Sequence, residues 1–210
     1  MIKVLILAAG NGTRWGNYRG TPKHRLLIEE EVLIERTYRQ FSKYTDNIVI
    51  VCNDGEDTVN GAQTYVPPVD KAWKDVAKFW SSRDIWSSER NILVFADVYF
   101  TDEAVETIMN DKSDLSFYLR DRASEITGKP WKEIWGIGFN GKSIPILDNT
   151  IRSIIESSDY FNLPGGWCLY EQLKTNKHSF DVVKINDWTE DFDLPRDIDN
   201  WEINRQKYRQ

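Results

Sequence analysis

Arg14 closes, and Lys23 follows, a short run rich in small residues, Leu7-Ala8-Ala9-Gly10-Asn11-Gly12-Thr13-Arg14, which comes after an apolar stretch and leads on to Pro22-Lys23. Small side chains let backbone N–H groups approach an anion, and the two cations neutralise phosphates. The order fits neither the Walker loop, which ends in Gly-Lys-Ser/Thr, nor the dinucleotide fingerprint, whose third glycine is missing. The chemistry predicted for Leu7, Ala8, Ala9, Gly10, Gly12, Thr13, Arg14 and Lys23 is nucleotide phosphate binding. A glycine turn that only joined a strand to a helix would have no use for both cations.

Asp97 is the second chemical feature. It interrupts the apolar run Ile92-Leu93-Val94-Phe95-Ala96 where that run passes into Val98-Tyr99-Phe100. A lone carboxylate there is costly unless paired. A hard cation, Mg²⁺ or Mn²⁺, shared between one or two carboxylates and phosphate oxygens would justify it, and capping of the following turn is the alternative. A second ligand is expected from the acidic stretch between Asp187 and Asp199. Within it, Pro195 suits the first turn of a helix and Asp197 its N-terminal end.

These residues need elements to hold them. Val4 to Leu7 is aliphatic without alternation, as in a strand covered on both faces. A helix is predicted from about Val32 to Tyr44, where Leu33, Ile34, Tyr38 and Phe41 recur at helical spacing, followed by a strand from Asn47 to Cys52. After Pro67-Pro68, Val69 to Trp86 reads as a helix with Trp73, Val76, Phe79 and Trp80 on one stripe. Further strands are expected at Asn91 to Phe100, Ser116 to Leu119 and Phe180 to Ile185. This alternation predicts an α/β fold with a parallel sheet. In such sheets ligands gather outside the carboxyl ends of the strands, where the loop after Leu7 and the strand carrying Asp97 both arrive. No repeat or linker divides the chain, so one domain over residues 1–210 is expected.

Composition narrows the class. A 210-residue chain with 40% hydrophobic and 13% aromatic residues can bury a sizeable core. A net charge of −6 argues against coating nucleic acid through bulk electrostatics. Local charge is uneven: Arg14, Arg19, Lys23, His24 and Arg25 cluster without an acid among them. Cys52 and Cys168 have no metal-site spacing, agree with a reducing compartment and are expected in the core. No apolar run is long enough for a membrane span, and a cytoplasmic protein without a leader is expected.

The order Leu-Ala-Ala-Gly-x-Gly-Thr-Arg followed by Pro-Lys resembles the signature of the nucleotidyltransferase branch of the GT-A fold. The resemblance implies a single GT-A-type, Rossmann-like domain, with a mostly parallel central sheet and helices on both faces. It places the nucleotide in the loop and its phosphates on Arg14 and Lys23. Here the seven residues Trp15 to Thr21 separate Arg14 from Pro22, a longer and more aromatic insert than usual. At Asp97, where nucleotidyltransferases of this fold carry Gly-Asp and glycosyltransferases often Asp-x-Asp, Ala96 and Tyr99 stand in the flanking places; Asp97 itself matches the metal ligand. Asp193-Leu-Pro-Arg-Asp197 is similar to an Asp-Thr-Pro-Glu-Asp signature, which gives Asp193 the second metal position. Lys23, Asp97 and Asp193 are therefore the expected catalytic set.

Two reactions fit these parts. In one, a nucleotide sugar gives its sugar to a hydroxyl; in the other, a nucleoside triphosphate and a sugar 1-phosphate or related phosphate combine with release of pyrophosphate. The first is favoured by three segments, Thr127 to Trp135, Gly165 to Tyr170 and Asp187 to Asp193. They resemble the viral TET-associated glycosyltransferases, which implies phage DNA containing 5-hydroxymethylcytosine as acceptor and a host cytoplasm as location. On that reading Trp131, Trp135 and Trp167 stack on an extruded base, while Arg120, Arg122 and Lys129 follow the phosphates. Glu133, Asp187 and Asp191 are the candidate bases, and Trp131, Glu133, Trp167 and Asp191 form the expected acceptor site. Ordinary core packing is the alternative for the tryptophans.

Overall fold

The aliphatic N-terminal run forms strand β1 (Ile2–Leu7), the spine of a computed structural model that describes residues 1–10, 15–16, 18–53, 58–68, 77–157 and 165–208. A short hairpin, β2 (Leu27–Ile28) and β3 (Glu31–Val32), leads into α1 (Leu33–Ser42), then β4 (Ile48–Val51) and β5 (Gln63–Tyr65). Next come α2 (Ala77–Trp80), β6 (Arg90–Phe95), β7 (Val98–Tyr99), α3 (Asp102–Asn110), β8 (Leu115–Arg120) and β9 (Glu133–Asn140). The chain finishes through α4 (Ile144–Glu156), α5 (Gly165–Thr175), β10 (Asp181–Lys184), β11 (Glu190–Asp191) and α6 (Pro195–Tyr208).

Seven strands form one sheet in the order β10-β8-β9-β6-β1-β4-β5. Only β9 runs against its neighbours; the other pairings are parallel. Alternate residues of β1 enter opposite cores. Val4 and Ile6 pack with Ile34 and Phe41 of α1 and Val105 and Ile108 of α3, whereas Leu5 and Leu7 pack with Leu147 and Ile151 of α4 and Leu169 of α5. Coverage on both faces explains why the strand shows no alternation. Cys52 lies in the first core and Cys168 in the second, both fully buried. A third, smaller core gathers Trp15, Leu33, Tyr99 and Phe192 under Ile198 and Trp201 of α6.

One expectation needs correcting, one falls partly outside the described residues, and one strand was missed. The run Asn91 to Phe100 is not one strand: β6 ends at Phe95, Ala96 and Asp97 turn, and β7 leaves the main sheet to pair with β11. The turn brings a carboxylate to the sheet end instead of burying it between strands. Of the helix expected from Val69 to Trp86, α2 and the turn Arg83–Ile85 are seen, and residues 69–76 lie outside the described residues. The antiparallel β9 was not anticipated, because Gly136 and Gly138 break its apolar pattern.

Those glycines are required by β9's neighbours. A Cβ on Gly136 would overlap the Leu93 carbonyl oxygen, and one on Gly138 would overlap the Tyr118 hydroxyl. Gly136→Ala is therefore expected to cost roughly 2–4 kcal/mol in urea denaturation, since the obstacle is backbone of the central sheet. A loss below about 0.5 kcal/mol would mean that the β6–β9 contact yields more readily than its geometry implies.

Asp111 ties strands β6 and β8 to the end of α3. It accepts from Arg90 Nη2 at 2.7 Å, from Tyr118 Oη at 3.1 Å and from the Ser113 N–H at 2.9 Å, with Ser116 Oγ also in contact. Burial alone would raise its carboxyl, but hydrogen bonds from Ser116 and Ser113 and the charge of Arg90 bring it below the usual carboxylate range. Its stabilisation is thus present at neutral pH and lost as pH falls through that lowered value. Asp111→Asn should flatten the acid limb of the stability-versus-pH curve; an unchanged limb would assign acid sensitivity to other carboxylates.

Candidate active site

The carboxyl ends of β1 and β6 lie side by side, with Leu7 paired to Phe95. Beyond them the Ala8 N–H donates to the Val51 carbonyl at 2.7 Å and the Ala96 N–H to the Leu7 carbonyl at 3.0 Å. Asn53 Nδ2 donates to the Ala9 carbonyl at 3.0 Å, fixing the start of the loop after β1 from the β4 side. Gly10 is exposed at this sheet end. Gly12, Thr13 and Arg14 lie outside the described residues.

Lys23 comes to the same place. Pro22 opens a single helical turn, Lys23–Arg25, whose backbone closes on Pro22 through the Arg25 N–H. The insert that precedes it is anchored: Trp15 is buried, and its indole N–H donates to the carbonyls of Tyr18 and Thr21. From this turn the Lys23 ammonium lies 2.6 Å from Asp97 Oδ2 and 3.6 Å from Asp193 Oδ1. Three residues far apart in sequence, from the loop, the β6–β7 turn and the segment after β11, therefore meet at one charge. Burial opposes ionisation of Asp97, but Lys23 and then Lys78 hold its carboxyl below the usual range. Burial likewise disfavours the Lys23 charge, and Asp97 and Asp193 more than restore it.

A second acidic group adjoins the first. Glu133, Asp191 and Asp193 each offer an oxygen within 4.8 Å of the others. Lys129, almost fully buried, reaches the Asp191 carboxylate at 2.8 Å, Asp197 at 3.5 Å and Asp193 at 3.7 Å. Burial and then the charge of Asp191 push the Glu133 carboxyl well up, with Lys129 opposing; burial raises Asp191 as well. The cluster holds more negative charge than its lysine cancels. Asp197 caps the start of α6, accepting from the Asp193 and Leu194 N–H groups, both at 2.9 Å. This places the Asp193 backbone.

Several residues expected at a DNA acceptor are placed otherwise. Trp135 is a fully buried core residue, and half-buried Trp167 packs edge-on against Tyr170. Arg120 is sealed in an ion pair with Glu190 at 2.6 Å. Lys129 serves the acidic cluster and cannot follow an external phosphate. Trp135 and Arg120 grow from β9 and β8 and Lys129 from the segment between them, where β11 supplies the carboxylates that pair with both cations, and Trp167 belongs to α5. Arg122 is exposed, donating to the Asn186 carbonyl. Asp187 is engaged by Thr101 Oγ1 and the Thr189 N–H. Trp131 remains 45% exposed, its indole N–H on Glu133 Oε2 at 3.0 Å.

Residues 4–77 match the profile of the MobA-like NTP transferase domain. Comparison with curated proteins finds no match. Among solved structures, the inositol-1-phosphate CTP transferase of T. maritima is similar at TM-score 0.66 and 16% identity, over 93% of this chain and 90% of its own. CTP:phosphocholine cytidylyltransferase of Streptococcus pneumoniae is similar at TM-score 0.65 and 15% identity, over 96% and 98%. A protein assigned as a glucose-1-phosphate thymidylyltransferase from Bacillus anthracis reaches TM-score 0.67 at 16% identity, over 98% and 96%. The chain shares its fold with these three proteins. On this fold the Lys23, Asp97 and Asp193 cluster sits at the sheet end where open α/β sheets take ligands. Among the described residues no helix is long and apolar enough to cross a membrane.

Proposed function

We propose that this chain is a metal-dependent nucleotidyltransferase that joins a nucleoside triphosphate to a phosphate monoester and releases pyrophosphate. The observation that carries the reading is the meeting of Lys23 with Asp97 and Asp193 beside the phosphate loop. The match to an NTP transferase domain over that loop supports it. The names of two structural neighbours, which specify inositol 1-phosphate and phosphocholine, support a phosphate-bearing acceptor of the sugar 1-phosphate type.

The donor set suits a hard cation. Asp97 and Asp193 offer carboxylate oxygens to one positive charge, and Glu133 and Asp191 extend the oxygen-only cluster. Mg²⁺ or Mn²⁺ held by Asp97 and Asp193 would neutralise charge on the triphosphate. The chain's own residues do the positioning. Backbone N–H groups of the loop and the cations Arg14 and Lys23 orient the triphosphate, so that an acceptor phosphate oxygen forms a bond to the α-phosphorus as the bond to the pyrophosphate oxygen breaks. An acceptor that is already a phosphate anion needs no protein nucleophile and no base. Lys129 keeps Asp191 and Asp193 fixed beneath.

Transfer of a sugar to 5-hydroxymethylcytosine, the reaction favoured by the viral resemblance, retains one supporting feature, exposed Trp131 beside Glu133. One experiment separates the two. The protein is incubated with Mg²⁺, and in parallel with Mn²⁺, in two arms. One contains each nucleoside triphosphate with a set of phosphate monoesters, the other nucleotide sugars with duplex DNA carrying 5-hydroxymethylcytosine. Pyrophosphate release that requires both substrates supports the proposal. A hexose- or pentose-sized mass gain on the modified cytosine, without pyrophosphate release, would replace it with the glycosyltransferase.

A further inference from the structure

Trp131 is an aromatic residue that the transfer reaction leaves without a role. It is 45% exposed, and no aromatic ring or cation of the described residues lies against its ring. Two bonds nevertheless fix it. Arg120 Nη2 donates to its carbonyl at 3.3 Å, and its indole N–H donates to Glu133 Oε2 at 3.0 Å. Glu133 is the second group without a role of its own. The neighbouring cations are taken: Lys23 by Asp97 and Asp193, Lys129 by Asp191, Asp193 and Asp197, and Arg120 by Glu190. Glu133, half-buried beside them, forms no ion pair among the described residues. A carboxylate drawn out of water without a counter-charge is costly.

Both residues stand beside the reaction. Glu133 opens β9, which runs antiparallel to β6, so it lies at the sheet end where β6 and β1 finish, with β6 between it and the loop after β1. Its carboxylate is within 4.8 Å of that of Asp193, which in turn faces Lys23 at 3.6 Å. A triphosphate held by the loop after β1 therefore leaves the β9 side to the acceptor.

We infer that the acceptor phosphate monoester carries an organic ammonium group, received by the face of Trp131 and the carboxylate of Glu133. The inference rests on the nucleotidyltransferase reading and narrows its acceptor. An ammonium brings the charge that Glu133 lacks, and its methyl or methylene groups suit an indole, whose face attracts cations. A neutral sugar would leave the carboxylate uncompensated, and a hydrated metal ion would make no use of an exposed indole. Trp131 and Glu133 form no bond in the reaction. They hold the far end of the acceptor, so that its phosphate is presented to the triphosphate at Asp97 and Asp193.

The test is pyrophosphate release with Mg²⁺ and each nucleoside triphosphate from four acceptors: phosphocholine, phosphoethanolamine, the uncharged isostere of phosphocholine with carbon in place of nitrogen, and a sugar 1-phosphate. One of the two amines should exceed the carbon isostere by about tenfold or more in kcat/KM. Trp131→Leu should remove most of that preference, through the acceptor KM more than through kcat, and Trp131→Phe, which keeps an aromatic face, should retain much of it. Circular dichroism melting confirms that each variant is folded. If the unsubstituted protein uses the carbon isostere as well as the amines, or the sugar 1-phosphate better, the inference is overturned while the transferase reading stands. An amine preference that survives Trp131→Leu intact also overturns it, because the cation is then recognised elsewhere. Absence of pyrophosphate release with every acceptor would overturn the nucleotidyltransferase reading itself.

Discussion

Asp97→Asn is expected to lower kcat/KM by roughly 100- to 1000-fold, about 2.7–4 kcal/mol of transition-state stabilisation, while leaving the protein folded. Asparagine keeps the shape of the β6–β7 turn but removes the charge that faces Lys23 at 2.6 Å. Two things follow. The oxygen donor for a hard cation becomes a weak neutral one, and Lys23 is freed to swing toward Asp193, which it already approaches at 3.6 Å. The loss should appear mainly in kcat with triphosphate bound, and Mn²⁺ binding read by electron paramagnetic resonance should weaken in parallel. Turnover within about threefold of the unsubstituted protein would remove Asp97 from the mechanism.

Arg120→Ala should cost about 3–5 kcal/mol of folding stability, the largest effect expected away from the active site. The guanidinium and the Glu190 carboxylate are both almost fully buried, 4% and 1% exposed. Glu190 also accepts from Thr127 Oγ1 at 3.1 Å and from Ser124 Oγ, and Arg120 donates to the carbonyls of Arg122 and Trp131. Truncating the arginine strands a buried carboxylate with only two hydroxyls and the Asp191 N–H, at 3.3 Å, as donors and no opposite charge. With a denaturant slope of about 2 kcal/mol per molar, the urea midpoint should fall by about 2 M. Replacing both partners by apolar residues of similar size, Arg120→Met with Glu190→Leu, should recover much of the loss, because no charge is then left unpaired. A single variant as stable as the parent would show that Arg120 is solvated, and would reopen its expected role at a nucleic-acid surface.

What the sequence revealed and what it hid follow from the range of the signals. Val4 to Leu7, the α1 stripe and the Asp193-Leu-Pro-Arg-Asp197 helix start are local patterns, set by burial on two faces or by capping, and each is found where its residues predict. Asp97 stood out because a charge inside an apolar run demands an explanation; only its surroundings, a turn between two strands, differ from the expectation. The residues that sequence reasoning misplaced depend on distant partners. Arg120 reads as an exposed cation until Glu190 arrives from another strand, and Lys129 reads as a phosphate contact until the acidic segment folds over it. Trp135 carries no mark that separates a stacking platform from a core residue. β9 was hidden by Gly136 and Gly138, whose need comes from Leu93 and Tyr118 across the sheet. Asn53 has no local mark either, as its bond to Ala9 joins two loops.

The central claim is that the Lys23, Asp97 and Asp193 site transfers a nucleotide onto a phosphate. It is tested most directly by ³¹P nuclear magnetic resonance of a reaction containing the protein, Mg²⁺, one nucleoside triphosphate and one phosphate monoester chosen from the substrate panel. The account predicts equal growth of pyrophosphate and of a new diphosphate diester at the expense of both substrates, abolished by Asp97→Asn. Triphosphate and monoester signals that stay unchanged across the panel, while a nucleotide sugar is consumed to nucleoside diphosphate in the presence of hydroxymethylated DNA, would contradict it.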